Sequence, residues 1–241
     1  MKKTIFILFA GLVLIASSPF ATISSAQSFD YSDAPGYGLA WHKTPTWQSL
    51  GSSWNSETAA LTPDLDGSDD GVFWSLDGSN YGHGLVYAGQ DVTFRFDMNR
   101  AAYGRHEYDQ LKAWVDWNQN TAFDNASENI IAKQWFKDTD ADGDTQVPDN
   151  EWTETTNPDA VLFKQFYVTV TIPETLTGDL WLRARVHCNH VAFEDTTPYG
   201  YLSQGEVEDW CIEVAPVPEP ATLILLGSGL AGLAFYRRKK K

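Results

Sequence analysis

The sequence is poor in the side chains that most often carry out catalysis. It contains two cysteines and five scattered histidines among 241 residues. It has neither the G-x-S-x-G turn of serine hydrolases nor the H-E-x-x-H helix of zinc proteases, and no Ser/His/Asp spacing of a hydrolase. These absences predict a protein that is not an enzyme, with a glycan-active enzyme as a weaker alternative.

Basic residues are scarce in the central part of the chain. Residues 27–215 hold ten of the 17 Lys and Arg but 31 of the 32 Asp and Glu, which gives a net charge of −21. Nucleic acids and anionic lipid surfaces are bound through clusters of Lys and Arg, so neither is an expected partner. The 10 Trp, 10 Tyr and 13 Phe supply enough apolar area for a folded core and argue against disorder.

Long apolar runs are missing from the interior and occur only near the two ends. The first three residues include two lysines, residues 4–16 are apolar, and small residues lead up to Ala26. This pattern predicts a signal peptide over residues 1–26 that is cleaved after Ala26. A permanent anchor is the alternative, but the apolar run is shorter than the roughly 20 residues of a spanning helix.

The C-terminal end has a different pattern. Pro218-Glu219-Pro220 precedes an apolar stretch over residues 221–235, which is followed by five cations at 237–241. This arrangement resembles the PEP-CTERM sorting signal. The resemblance implies a sorting tail over 216–241, with a short hydrophobic transmembrane helix, that an exosortase-type enzyme recognises and removes in a bacterium that exports polysaccharide. We therefore expect export to the cell surface or medium, with membrane contact only through this tail. A single-pass anchor is the alternative.

Residues 27–215 read as one β-rich domain. Several runs alternate or are rich in β-branched and aromatic residues, and turn-rich segments separate them; the runs are 91–97, 111–117, 163–172, 179–186 and 208–214. In 180–186 the alternation places Trp181, Arg183 and Arg185 on one face and apolar residues on the other. The prediction is an antiparallel two-sheet β-sandwich, jelly-roll or immunoglobulin-like, with long loops.

Four segments of this domain together resemble the GEVED domain of secreted bacterial proteins. They are Asp30-Tyr-Ser-Asp-Ala-Pro35, Asp69-Asp-Gly-Val72, Trp114-Val-Asp-Trp-Asn-Gln-Asn120 with Phe123-Asp124, and Gly205-Glu-Val-Glu-Asp-Trp210. Trp210 stands where the family commonly has Tyr. The resemblance implies a β-sandwich of the surface or matrix with no established chemistry. It also implies a structural role for Glu206, Glu208 and Asp209, whose spacing alone would permit a glycosidase pair.

Two acidic loops have the oxygen ligands that calcium prefers. In the first, Asp116, Asn118, Asn120, Asp124 and Glu128 follow the spacing of an EF-hand loop, although Thr121 replaces the usual glycine and Glu128 comes one position late. In the second, Asp138, Asp140, Asp142, Asp144 and Asp149 match better, with Gly143 at the turn. Calcium is therefore a possible cofactor, and a self-solvated acidic turn is the alternative at each loop.

The remaining candidates are a cysteine pair, two histidines and several tryptophans. Cys188 and Cys211 predict a disulfide, because the compartment is oxidising and no metal spacing surrounds them. His187 and His190 beside Cys188 are more typical of ordinary loop histidines than of a metal site. Trp41, Trp47, Trp54 and Trp74 suit either stacking on sugar rings or a sandwich core.

Taken together, these features predict an exported, non-enzymatic and calcium-stabilised surface protein. Its expected role is adhesion or the organisation of an exopolysaccharide or biofilm matrix. The alternative is a carbohydrate-binding module for the exported polysaccharide, and the two hypotheses differ in whether aromatic side chains are exposed.

Overall fold

The computed structural model describes residues 29–43, 47–52, 69–102, 107–137, 151–152, 155–157 and 159–217, with Ser228 and Leu230. The predicted signal peptide lies outside these ranges, as does most of the predicted sorting tail. The described strands are β1 (Phe29–Tyr31), β2 (Ala40–Lys43), β3 (Gln48–Leu50), β4 (Val72–Ser75), β5 (Val86–Tyr87), β6 (Asp91–Ala101), β7 (Tyr108–Val115), β8 (Asn129–Lys137), β9 (Glu151–Trp152), β10 (Val161–Thr171), β11 (Gly178–Cys188), β12 (Gly200–Leu202) and β13 (Glu206–Ala215).

Two large sheets face each other across the core. In one, β6 pairs with β10 along one edge and with β3 and β4 along the other. The facing sheet has the strand order β5-β13-β11-β7-β8-β9. Its pairs are antiparallel except for two short parallel ones, β5 with β13 and β8 with β9. The predicted all-β class with two packed sheets is confirmed.

Alternation along the longest strands builds the core between these sheets. Every second side chain of β6 and of β11 points inward and is completely buried: Val92, Phe94, Phe96 and Met98 from β6, and Leu180, Leu182, Ala184 and Val186 from β11. Each fully buried side chain of leucine or phenylalanine size stabilises the fold by about 1.5–3 kcal/mol relative to an exposed one. The core therefore fixes the register that positions the functional segments.

A third sheet, with the order β1-β2-β12, covers part of the outer face of the six-stranded sheet. Its inward side chains are buried; they are Asp30, Ala40, His42 and Leu202. Because β11 is covered on both faces, Arg183 and Arg185 are completely buried, although alternation alone assigned them to a polar face. The guanidinium of Arg185 donates from Nε to Nε2 of His42 at 3.0 Å, which ties the third sheet to β11.

The predicted disulfide between Cys188 and Cys211 is wrong. Cys211 lies opposite Trp181 in the pairing of β11 with β13, seven residues along β11 from Cys188. At about 3.3 Å per residue the two cysteines are roughly 23 Å apart, whereas the Cα atoms of a disulfide lie about 4.4–6.8 Å apart. Neither cysteine is in a disulfide. The prediction rested on the oxidising compartment and the absence of metal spacing, and neither carries information on strand register.

A reducing agent is therefore expected to leave the thermal unfolding midpoint unchanged. Circular dichroism of the purified protein with and without reductant measures this, and Cys211→Ser serves as the matched variant. A disulfide closing the predicted loop would add about 3 kcal/mol, so a clear fall of the midpoint on reduction would contradict the register of β11 and β13.

Candidate functional site

The segment 205–210 brings three layers of the fold together. Gly205 has a φ of +101°, and a Cβ at this position would collide with the carbonyl of Val186, so only glycine fits. Alternation along β13 then turns Glu206 and Glu208 towards the interior of the sandwich. Asp209 points the opposite way, towards the third sheet. One short motif thus presents carboxylates to both faces of its strand.

The two inward carboxylates accept hydrogen bonds from the backbone of the facing sheet. Glu206 Oε2 accepts from Leu50 N at 2.5 Å, at the end of β3. Glu208 Oε1 accepts from Gly71 N at 2.8 Å and from Asp70 N at 3.0 Å, immediately before β4. Each side chain satisfies amide groups that the sheet ladder does not, and so connects the two sheets directly.

The outward carboxylate connects the N-terminal segment. Asp209 forms a bidentate pair with Arg183, with Nε to Oδ1 at 2.7 Å and Nη2 to Oδ2 at 2.8 Å. Asp209 Oδ2 also accepts from Asp33 N at 3.0 Å and Ala34 N at 2.8 Å. Both members of the ion pair are completely or almost completely buried, and such pairs persist only when their remaining hydrogen-bonding groups are satisfied. The motif therefore holds the turn that follows β1.

This cluster contains more buried acid than base. Burial raises the pKa of Glu206 well above its usual range, and the neighbouring charges of Asp30 and Glu208 raise it further. Burial also raises the pKa of Glu208 to about 8, although hydrogen bonds from Trp210, Gly71 and Asp70 oppose the shift. Both carboxylates are at most 1 % exposed. They are thus used as internal hydrogen-bond acceptors, which favours the structural interpretation over a glycosidase pair.

The first acidic loop folds around Asp116, which is completely buried. Its Oδ1 accepts from Asn120 N at 3.1 Å, and its Oδ2 accepts from Thr121 N at 2.9 Å and from Tyr37 Oη at 2.6 Å. Thr121 has a φ of +64°, a conformation that glycine adopts more readily. The side chain that was predicted as a calcium ligand is therefore already engaged by its own loop.

The other predicted ligands of this loop are close to Asp116 and are similarly engaged. Glu128 accepts from Asp124 N at 2.7 Å and from Asn118 Nδ2 at 2.9 Å, while Asp124 Oδ1 accepts from Ala126 N at 2.9 Å. Burial raises the pKa of Glu128, and the charges of Asp116 and Asp124 add to the effect. The loop thus has concentrated negative charge with internal hydrogen bonds.

The second acidic loop, Asp138, Asp140, Asp142, Asp144 and Asp149, lies outside the described residues, as does Trp54. Within the described ranges, no group of three or more His, Cys, Asp or Glu side chains is arranged to hold a metal ion. His187 Nε2 lies 2.7 Å from Thr196 Oγ1, and His190 Nδ1 lies 2.8 Å from Cys188 Sγ. These histidines are satisfied by local partners.

An aromatic surface occupies the outward face of the third sheet. Phe29 and Tyr31 on β1, Trp41 on β2 and Tyr201 on β12 alternate with the buried residues of the same strands. The Tyr201 ring centroid lies 6.1 Å from that of Trp41 and 6.4 Å from that of Phe29. Tyr201 is 47 % exposed. Four rings are therefore contiguous on a face that no other described layer covers; we call them the aromatic face.

Sequence reasoning found only part of these sites. It named Trp41 but could not separate it from Trp74, which is 4 % exposed and part of the core. It missed the aromatic face because Phe29, Tyr31 and Tyr201 come from strands of three residues, too short for a clear alternation. It also missed the pair between Arg183 and Asp209, which depends on strand register.

Comparison with known proteins identifies two parts of the chain. Residues 110–213 match the GEVED domain family, and residues 216–240 match the PEP-CTERM protein-sorting motif. The two N-terminal segments that were assigned to the GEVED resemblance lie outside the matched residues, although Asp33 and Gly71 are bound directly by the matched motif. No curated protein matches the chain.

Two solved structures are similar at low identity. One is the CARDB domain of a Pyrococcus furiosus protein in complex with di-metal ions, with 12 % identity, a TM-score of 0.31, and coverage of 60 % of this chain and 86 % of that one. The other is the C-terminal domain of wzt, with 11 % identity, a TM-score of 0.34, and coverage of 72 % and 83 %.

The sorting motif establishes the location of the protein. The chain is exported, its tail is processed by an exosortase-type enzyme after a transient stay in the membrane, and the protein ends on the cell surface or in the medium. In the described part of the chain, no helix is long and apolar enough to cross a membrane. The apolar stretch of the tail falls almost entirely outside that part.

Raising the pH from about 7 to 9 is expected to destabilise the protein. The pKa values of Glu206 and Glu208 are raised in the folded state. Their contribution to stability is therefore complete below their ordinary pKa near 4.5. It is lost as the pH rises through their pKa in the folded protein, which is about 8 for Glu208. This pH range lies above the ordinary pKa of the buried histidines His42 and His187. In the folded protein the pKa of each is lower still.

Urea unfolding across this range measures the effect. Glu206→Gln keeps an oxygen acceptor for Leu50 N but removes the charge, and it should flatten the pH dependence. Glu213→Gln, on the exposed side of β13, is the matched control and should leave it unchanged. A free energy of unfolding of the unmodified protein that is flat or rises over this range would contradict the assignment.

Proposed function

We propose that this GEVED-domain chain, exported and sorted through its PEP-CTERM tail, is a non-enzymatic protein that binds the exported polysaccharide at the cell surface or in the matrix. The observation that supports this function best is the aromatic face of β1, β2 and β12. Its four rings lie on the outside of a sheet whose other side is fully packed.

The geometry of the aromatic face suits a sugar chain. Ring faces supply apolar area while the hydroxyl group of the exposed Tyr201 can form hydrogen bonds. Lys43 lies opposite Phe29 in the register of β1 with β2 and is exposed, which adds a cation at the border of the rings. Short strands paired on a packed base keep the rings in place, so little ordering accompanies binding.

The non-enzymatic part of the proposal is supported by the use of the buried carboxylates. Glu206, Glu208 and Asp209 are occupied by backbone amides and by Arg183, and none is accessible to a glycan chain. Binding without turnover fits a role in adhesion or in organising an exopolysaccharide or biofilm matrix.

We also propose that calcium stabilises the protein. The support is the net charge of −21 over residues 27–215 and the spacing of Asp138, Asp140 and Asp142, which follows the EF-hand pattern. The first acidic loop satisfies its carboxylates internally, which favours the second loop as the main site. A cation near either loop would offset the mutual repulsion of its aspartates.

Removing rings from the aromatic face is expected to weaken polysaccharide binding. Trp41→Ala and Tyr201→Ala should each lower the affinity about tenfold or more, because each removes a central ring, and tenfold corresponds to about 1.4 kcal/mol. Affinity electrophoresis in gels containing exopolysaccharide from the source bacterium measures the change. Tyr167→Ala removes an equally exposed tyrosine from β10 and is the matched control. Unchanged migration of both face variants relative to the unmodified protein would contradict the proposal.

Calcium is expected to bind with a measurable heat and to raise the unfolding midpoint relative to excess chelator. A ligand that binds only the folded state adds about 2.7 kcal/mol at 100 times its dissociation constant. Titration calorimetry of Asp140→Ala and Asp116→Asn separates the two loops, with the larger loss expected in Asp140→Ala. Asp91→Asn at the exposed start of β6 is the control. Absence of a heat of binding in the unmodified protein would contradict the proposal that calcium stabilises it.

A further inference from the structure

A groove of about 600 Å³ lies between β8 of one large sheet and β10 of the other. Its lining includes Lys133, Gln134 and Phe136 on β8, Lys164 and Phe166 on β10, and Phe193. The volume is typical of small-molecule and saccharide sites. The segment 205–210 does not line it.

Both lysines of the groove occupy positions that alternation assigns to the core. Lys133 lies opposite Leu111 in the register of β7 with β8, between the buried residues Ile131 and Trp135. Lys164 lies opposite the buried Met98 in the register of β6 with β10. Lys133 is nevertheless exposed and Lys164 is half-buried, so both ammonium groups lie where the sandwich is open to solvent.

The described arginines and the buried Lys112 are engaged by other protein groups. Arg95, Arg100 and Arg183 form salt bridges with aspartates, and the buried Lys112 donates to the carbonyl of Thr196. Lys133 and Lys164 form none of the salt bridges seen in the described residues, and no carboxylate of those residues lines the groove. In a chain of strong negative charge, this groove is a place where a polyanion can approach.

We propose that this groove binds a uronic-acid segment of polysaccharide, an inference that rests on the proposed function and narrows its ligand to an acidic glycan. The two ammonium groups attract sugar carboxylates, Gln134 offers an amide to hydroxyl groups, and the rings of Phe136, Phe166 and Phe193 supply apolar contact. A simple defence of edge strands against aggregation would also place lysines here, but it requires no ligand.

Calorimetric titration of the purified protein with oligogalacturonate tests the groove. We expect binding that weakens with added salt and is at least about tenfold weaker in Lys133→Gln/Lys164→Gln, because hydrogen bonds to charged groups are among the strongest polar contacts. Lys137→Gln removes the same charge from the same strand outside the groove lining and should bind like the unmodified protein. Unfolding midpoints of all variants show whether the fold is retained.

Three outcomes overturn the inference: no binding of oligogalacturonate by the unmodified protein, equal binding by the double variant, and equal loss in Lys137→Gln. Equal binding together with aggregation of the double variant would assign the lysines to edge protection. Binding of polyglutamate without any binding of oligogalacturonate would assign the groove to an acidic peptide and would also overturn it.

The same experiments separate this inference from the function on which it rests. If Trp41→Ala and Tyr201→Ala leave exopolysaccharide binding intact while the double lysine variant loses oligogalacturonate, the aromatic face is wrong and the groove stands. If the lysine variant binds normally while the ring variants fail, the groove is wrong and the aromatic face stands.

Discussion

Burial of three carboxylates within four residues is the constraint on which the rest of this structure depends. Glu206 and Glu208 cannot be buried without donors, and the facing sheet supplies amide groups from Leu50 and Gly71. Asp209 points away from them and is neutralised by Arg183. Because the donors come from segments more than 130 residues away in the chain, the motif couples the N-terminal third of the protein to its last strand. Loss of one carboxylate would leave buried amides unsatisfied in a different layer, which explains how so short a segment controls the packing of three sheets.

The pair of Arg183 and Asp209 also determines what the outer surface presents. It anchors the turn after β1, and Arg185 binds His42 of β2, so the third sheet is held on β11 by two buried arginines. The inward side of that sheet is polar as well as apolar, whereas its outward side carries four rings. An aromatic face on a base fixed by buried hydrogen bonds is more rigid than a loop of the same composition. Most of the described arginines are buried in the interior. The exterior is therefore acidic, and only a few cations remain accessible on it.

The strands and the sandwich could be predicted because they depend on local alternation. The eleven-residue strands β6, β10 and β11 have enough positions for period two to be clear, and the apolar side chains of β11 lie on the face that was expected. Register could not be predicted, since it depends on which residues meet across a sheet. That gap produced the wrong disulfide between Cys188 and Cys211, hid the partner of Asp209, and left the inward lysines of β8 and β10 unnoticed. The acidic loop at Asp116 was located correctly, but its spacing could not show that its own backbone amides satisfy the carboxylates.

An exported domain without a disulfide needs another source of long-range restraint. A covalent crosslink stabilises by limiting the unfolded chain, whereas the contacts of segment 205–210 act only in the folded state. Stability obtained in this way is sensitive to proton concentration, because Glu206 and Glu208 tolerate burial best when one of them is protonated. It should also be sensitive to any cation that approaches the cluster, since a positive charge would favour the ionised forms that alkaline conditions impose. The acidic surface and the buried carboxylates therefore lead to the same expectation. The stability of this fold should depend on pH and on cations more strongly than the stability of a disulfide-bonded sandwich of equal size.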